Sequence, residues 1–128
     1  MNMPHAWTAL ALALGLSGLG SAAYAHGGTV AEHGGVLKLV ADTSLELVTK
    51  PAGVEVWVEE EGEEVASSTL TGKLVIVEKG ATREVDLQPA AGNMLEAKGL
   101  KIGHGATVTV TVAGKGSHAK TTANFTIK

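Results

Sequence analysis

The chain has 128 residues and no cysteine, which excludes disulfides, thiolate metal centres and thiol redox chemistry. A formal net charge of −3, from 13 acidic and 10 scattered basic residues, gives no basic patch of the kind nucleic acid requires. Aromatic residues make up only 3% of the chain, so aliphatic side chains must supply the core.

The first 25 residues have the layout of a cleavable signal peptide. A short polar start, Met1 to His5, precedes an apolar run around Ala9 to Leu19, and Ala23-Tyr24-Ala25 matches the small-x-small pattern read by signal peptidase. The apolar run is about a dozen residues, too short for a bilayer-spanning helix of ~20. Cleavage after Ala25 is expected, with a second possible cut after Ala23. This predicts export to the periplasm and a mature chain with no membrane span. A flexible His/Gly leader is expected over 26–35 and a single domain over 36–128.

Along that domain the hydrophobic period is two almost everywhere. The less regular candidates come first in the chain, at Val36 to Ala41 and Ser44 to Thr49. Gly53 to Glu59 then sets Val54, Val56 and Val58 on one face, with Trp57 on the other between Glu55 and Glu59. After the glutamate-rich tip Glu59 to Glu64 come Lys73 to Glu78, Thr82 to Leu87 and Asn93 to Ala97. Ala106 to Val112 alternates strictly, valines against threonines, and Ala119 to Lys128 repeats the pattern through Thr121, Ala123, Phe125 and Ile127. Period-two patterning of this kind marks strands with one buried face. Turn signals such as Ala41-Asp42, Glu61-Gly62, Lys79-Gly80, Gly103-His104-Gly105 and Gly114-Lys115-Gly116 separate the runs. Strands this short and this regularly spaced predict an all-β, antiparallel immunoglobulin- or fibronectin-like β-sandwich of about seven or eight strands.

Enzymatic constellations are missing from the sequence: there is no nucleophile elbow, phosphate-binding glycine loop or zinc-protease helix motif. We therefore expect a non-enzyme without an organic cofactor. The histidines carry the chemistry. If cleavage follows Ala25, His26 becomes amino-terminal, and its α-amine and imidazole Nδ1 can close a chelate ring on one metal ion. His33 follows seven positions later beside Gly34-Gly35, while His104 and His118 lie in glycine-bearing turns at the two ends of the Ala106 to Val112 run. An isolated histidine in a turn is ordinarily a polar surface residue, and that is the bland reading of His104 and His118. His26, His33, His104 and His118 are the candidate metal ligands, and Glu32, Asp42 and the glutamate tip are possible additions. A nitrogen-rich set without thiolate suits Cu(II), Zn(II) or Ni(II) better than Cu(I), and Zn(II) or Cu(II) is the expected ion. Met94, a single thioether, reads as core packing.

Several stretches together resemble a known domain. His33-Gly34-Gly35-Val36, Leu45-Glu46-Leu47-Val48 and Val54-Glu55-Val56-Trp57-Val58 occur in the order seen at the start of periplasmic adaptor (membrane-fusion) proteins of cobalt–zinc–cadmium type RND efflux pumps. Val85-Asp86-Leu87-Gln88-Pro89-Ala90-Ala91-Gly92-Asn93-Met94-Leu95-Glu96-Ala97, then Gly105 to Val108 and Ala123-Asn124-Phe125, resemble later segments of the same N-terminal β-sandwich domain. The resemblance implies a free-standing copy of that domain, handling transition metal beside a heavy-metal efflux system. An efflux adaptor or another envelope protein is the implied partner. Only His33 matches a motif position, and the lipoyl-like, hairpin and membrane-proximal parts of an adaptor have no counterpart here. A different outcome is an envelope interaction module without metal, docking through a strand edge or the Trp57 surface.

Overall fold

The computed structural model describes residues 30–128. The expected signal peptide and cleavage site, and His26 with them, lie outside the described residues. Among the described residues nine strands follow one another: β1 (Val36–Val40), β2 (Thr43–Lys50), β3 (Gly53–Glu60), β4 (Glu63–Glu64), β5 (Leu70–Glu78), β6 (Ala81–Pro89), β7 (Met94–Lys98), β8 (Thr107–Gly114) and β9 (Lys120–Thr126). One short 3₁₀ turn, Ser67–Thr69, lies between β4 and β5. All eight runs expected from periodicity are strands, and the two-residue β4 is an addition made by the glutamate tip folding back on β3. Among the described residues no helix is long and apolar enough to cross a membrane.

Every ladder is antiparallel, and the strands hydrogen-bond in the order β1-β2-β3-β7-β6-β5-β8-β9. Sharp two-residue loops join β3 to β4 and β5 to β6. Glu61-Gly62 and Lys79-Gly80 hold positive φ at both positions (52° and 80°, 50° and 77°), the backbone whose twist matches paired strands. Strand β6 is the bridge between two groups. Ala81 to Leu87 pair with β5, whereas Gln88 and Pro89 pair with Glu96 and Leu95 of β7. Pro89 has no N–H to give, and it sits at the last residue of the strand, where that loss is tolerated. The two end strands of the path, β1 and β9, touch. Lys38 reaches across that seam to lie 5.4 Å from the Phe125 ring centre. The sheet is therefore nearly closed on itself.

Its interior is aliphatic, as the composition requires. Leu45 and Leu47, Val54, Val56 and Val58, Leu74 and Ile76, Leu95, and Val108, Val110 and Val112 point inward from successive strands, with Phe125 as the single buried aromatic among the described residues. Each such side chain contributes about 1.5–3 kcal/mol when removed from water. The segment after β6 is fixed by polar groups. Asn93 is buried, its amide donates to the Val58 carbonyl at 3.0 Å, and its own carbonyl accepts from Val58 N–H at 3.1 Å. Ser67 donates to the Ala90 carbonyl at 2.6 Å.

Candidate functional site

One strand departs from the half-buried pattern. In β2, Leu45 and Leu47 face the core, but Ser44, Glu46 and Val48 on the opposite side are also buried. What covers that outer side is the chain just ahead of β1. The turn at Gly34, with φ +79°, carries residues 32–35 back over the sheet. Gly35 packs so closely that a Cβ there would collide with the Leu47 carbonyl oxygen and lie 2.7 Å from Val48 Cγ2. This close approach explains why the second glycine of the His-Gly-Gly run has to lack a side chain.

Glu46, 3% exposed, is the anchor of this cover. Its carboxylate accepts the backbone N–H of Glu32 at 3.0 Å, of His33 at 2.9 Å and of Gly35 at 3.0 Å, and it meets His33 Nδ1 at 2.9 Å. Burial acts to raise the Glu46 carboxyl. The His33 side-chain hydrogen bond and the backbone N–H groups of Gly35, His33 and Glu32 outweigh it and hold the group below the usual carboxylate range. An ionised carboxylate can only accept, so the proton in the His33–Glu46 bond belongs to Nδ1. In the neutral ring Nε2 then carries a lone pair.

Trp57, the register partner of Glu46 on β3, lies under the imidazole. The two rings are stacked with centroids 3.6 Å apart and planes within 4°. The indole N–H points to Glu55 at 3.4 Å, and Glu55 is also paired with Lys50 at 2.9 Å. Trp57 thus falls on the glutamate side of β3, as alternation predicts, and one face of the indole is occupied by His33.

The four candidate histidines are not brought together in the described part of the chain. His33 is half-buried in the cluster above. His104 is exposed in the turn before β8, where Gly105 N–H bonds the Ile127 carbonyl. His118 is exposed between β8 and β9, at the far end of the eight-residue strand β8, some 25 Å away at the usual rise of ~3.3 Å per residue. His26 is outside the described residues. Asp42 is exposed at the β1–β2 turn, and Glu32 contributes its backbone to the cluster. Among the described residues no three His, Asp or Glu side chains gather as a ready metal cage.

Sequence reasoning singled out His33 and Trp57 separately and missed the group that joins them. The signal for Glu46 was a carboxylate inside the apolar run Ser44-Leu45-Glu46-Leu47-Val48, 13 residues after His33. Comparison of this chain with protein-family models, with curated proteins and with solved structures yields no match.

Proposed function

We propose that this protein is a periplasmic metal-handling module of heavy-metal resistance or efflux, which captures Zn(II) or Cu(II) reversibly through histidines and performs no catalysis. The observation that carries this reading is the His33–Glu46 pair. Metal-binding histidines characteristically donate one ring N–H to a carboxylate, which orients the ring and makes the other nitrogen a better donor. Here that carboxylate is buried and ionised, and His33 is the half-exposed residue above it. His33 alone is one ligand. On this reading the leader supplies the next two, the α-amine and imidazole of a processed His26, with exposed His104 or His118 as later contacts. Capture is then shared between His33 and the processed amino terminus, and the ion is handed on by exchange of these ligands.

The same reading treats the two ladder groups joined by β6 as the layers of an immunoglobulin- or fibronectin-like sandwich. It treats the chain as a relative of the RND adaptor domain, with an envelope protein as the recipient of metal. The Trp57 surface is a poorer basis for docking, because His33 already covers one indole face.

The test is titration of Zn(II) and Cu(II) into protein purified from periplasm, with the amino terminus established by intact mass. One equivalent bound in the wild type, with binding lost in His33→Ala and weakened about 10- to 100-fold in Glu46→Gln, supports the proposal. Equal affinity of wild type and His33→Ala would overturn it.

A further inference from the structure

We infer that the free edge of β6 receives an extended segment of a partner protein in which apolar residues alternate with lysine or arginine, paired to the backbone of Glu84 and Asp86. It stands apart from the metal reading, since none of the residues around His33 takes part.

Ladder alternation identifies the open rungs. The two-residue Lys79-Gly80 turn makes its flanking pair, Glu78 and Ala81, exchange both backbone bonds, and every second pair after it does the same. Arg83, Val85 and Leu87 thus direct their backbone groups to β5, while Glu84, Asp86 and Gln88 direct theirs to the other edge. On β7 the Gly99 N–H bonds the Ala52 carbonyl at 2.8 Å, so by the same alternation Glu96 and Lys98 face β6. Gln88 meets Glu96, but the next rung, Asp86 with Lys98, is not made. From there the two strands part around a cleft of about 610 Å³. The loop after β7 does not close it with backbone bonds. Side chains tie that loop down: Arg83 donates to the Lys101 carbonyl, and the Glu78 carboxylate accepts the Gly103 N–H at 3.0 Å. The N–H and C=O groups of Glu84 and Asp86 therefore form a short unpaired edge, the template on which an added strand pairs.

The walls choose the occupant. Val85, Ala97 and Leu100 line the cleft and pack on the core, so a guest residue opposite Val85 turns inward onto an apolar floor. Guest residues opposite Glu84 and Asp86 turn outward beside two exposed carboxylates. Glu84 meets Lys73 at 3.5 Å, and Asp86 has no ion pair among the described residues. Opposite charges on directly paired positions stabilise a ladder and like charges oppose it, which selects basic residues at alternate guest positions. A second copy of β6 laid antiparallel would set Glu84 against Asp86, so the same carboxylates oppose self-pairing.

The experiment is an amide NMR titration of the protein with three capped hexapeptides: alternating valine and lysine, alternating valine and glutamate, and the first peptide N-methylated at its lysines. The valine–lysine peptide should shift the Glu84 and Asp86 amides and slow their exchange, and bind about tenfold tighter than the glutamate peptide. N-methylation should abolish binding, because it removes the donors that face β6. Asp86→Lys, a change at an exposed position, should weaken the lysine peptide and favour the glutamate one. Unmoved Glu84 and Asp86 amides at millimolar peptide, or equal binding of all three peptides, overturns the inference. Protection of those amides that rises with protein concentration in the absence of peptide would assign the edge to a second copy and overturn the basic partner.

Discussion

Strands β8 and β2 have similar inner faces and opposite outer ones. In β8 the valines are buried while Thr107, Thr109 and Thr111 look outward, bonded to a neighbouring strand at most, as in Thr109 Oγ1 to Asn124 Oδ1 at 2.7 Å. In β2 the outer side is roofed by residues 32–35, and its polar residue becomes the centre of a four-donor cluster. The lesson is that alternation assigns faces to a strand, while the chain elsewhere decides whether the outer face meets water. A roofed carboxylate has to be satisfied completely, which turns a surface position into a specifying one.

The contrast can be broken or sharpened by substitution. The largest effect should come from the face the two strands share. Leu45→Ala removes a fully buried side chain and should cost about 2–5 kcal/mol, read from the midpoint of urea unfolding. Next is the roof itself. Gly35→Ala places a methyl against Leu47 and Val48 and should cost about 1–3 kcal/mol, with faster amide exchange at His33 and Gly35. Glu46→Gln halves the acceptor capacity for four donors and should cost about 1–3 kcal/mol at neutral pH. The equivalent change on β8, Thr109→Val, exchanges an exposed hydroxyl for a methyl and should stay within about 0.5 kcal/mol. Equal costs for Glu46→Gln and Thr109→Val would erase the distinction between the two outer faces.

Acid offers the same comparison without mutating β8. The Glu46 carboxyl is held below its usual range in the folded protein, so the unfolded chain binds its proton more readily. Its stabilisation is complete above the unfolded glutamate pKa of about 4.3 and is lost as pH falls through the lower folded value. The stability gap between wild type and Glu46→Gln should therefore shrink as the pH falls below the ordinary glutamate range. A gap that persists at the acid end would show that shape, and not charge, gives Glu46 its effect.

Much of the architecture was legible in the sequence because strands and tight turns are local. Val54-Glu55-Val56 and the valine–threonine alternation of β8 declare their buried faces, and Lys79-Gly80 declares its hairpin. The order β3-β7-β6 was not legible, since pairing of Val56 with Leu95 depends on where distant segments meet. The contact of β1 with β9 was hidden for the same reason. At the site, His33 stood out by its glycines and Trp57 by its place among glutamates. Their stacking could not be foreseen, because it needs the Gly34 turn to fold the preceding chain over β2. In the sequence Glu46 is one more member of a strand run, and its burial comes from that roof.

The seam between β1 and β9 has a topological consequence. Gly34, Gly35 and Val36, where the sheet begins, and Ile127 and Lys128, at its end, line one small cleft of about 190 Å³. The sheet thus returns to its starting point and is almost a ring. A short linker from Lys128 to the Gly34 turn, with the chain reopened at the exposed Lys115-Gly116 turn, gives a circular permutant that interrupts no strand pairing. Such a permutant would place new ends beside His118 and free the seam from carrying both ends of the sheet.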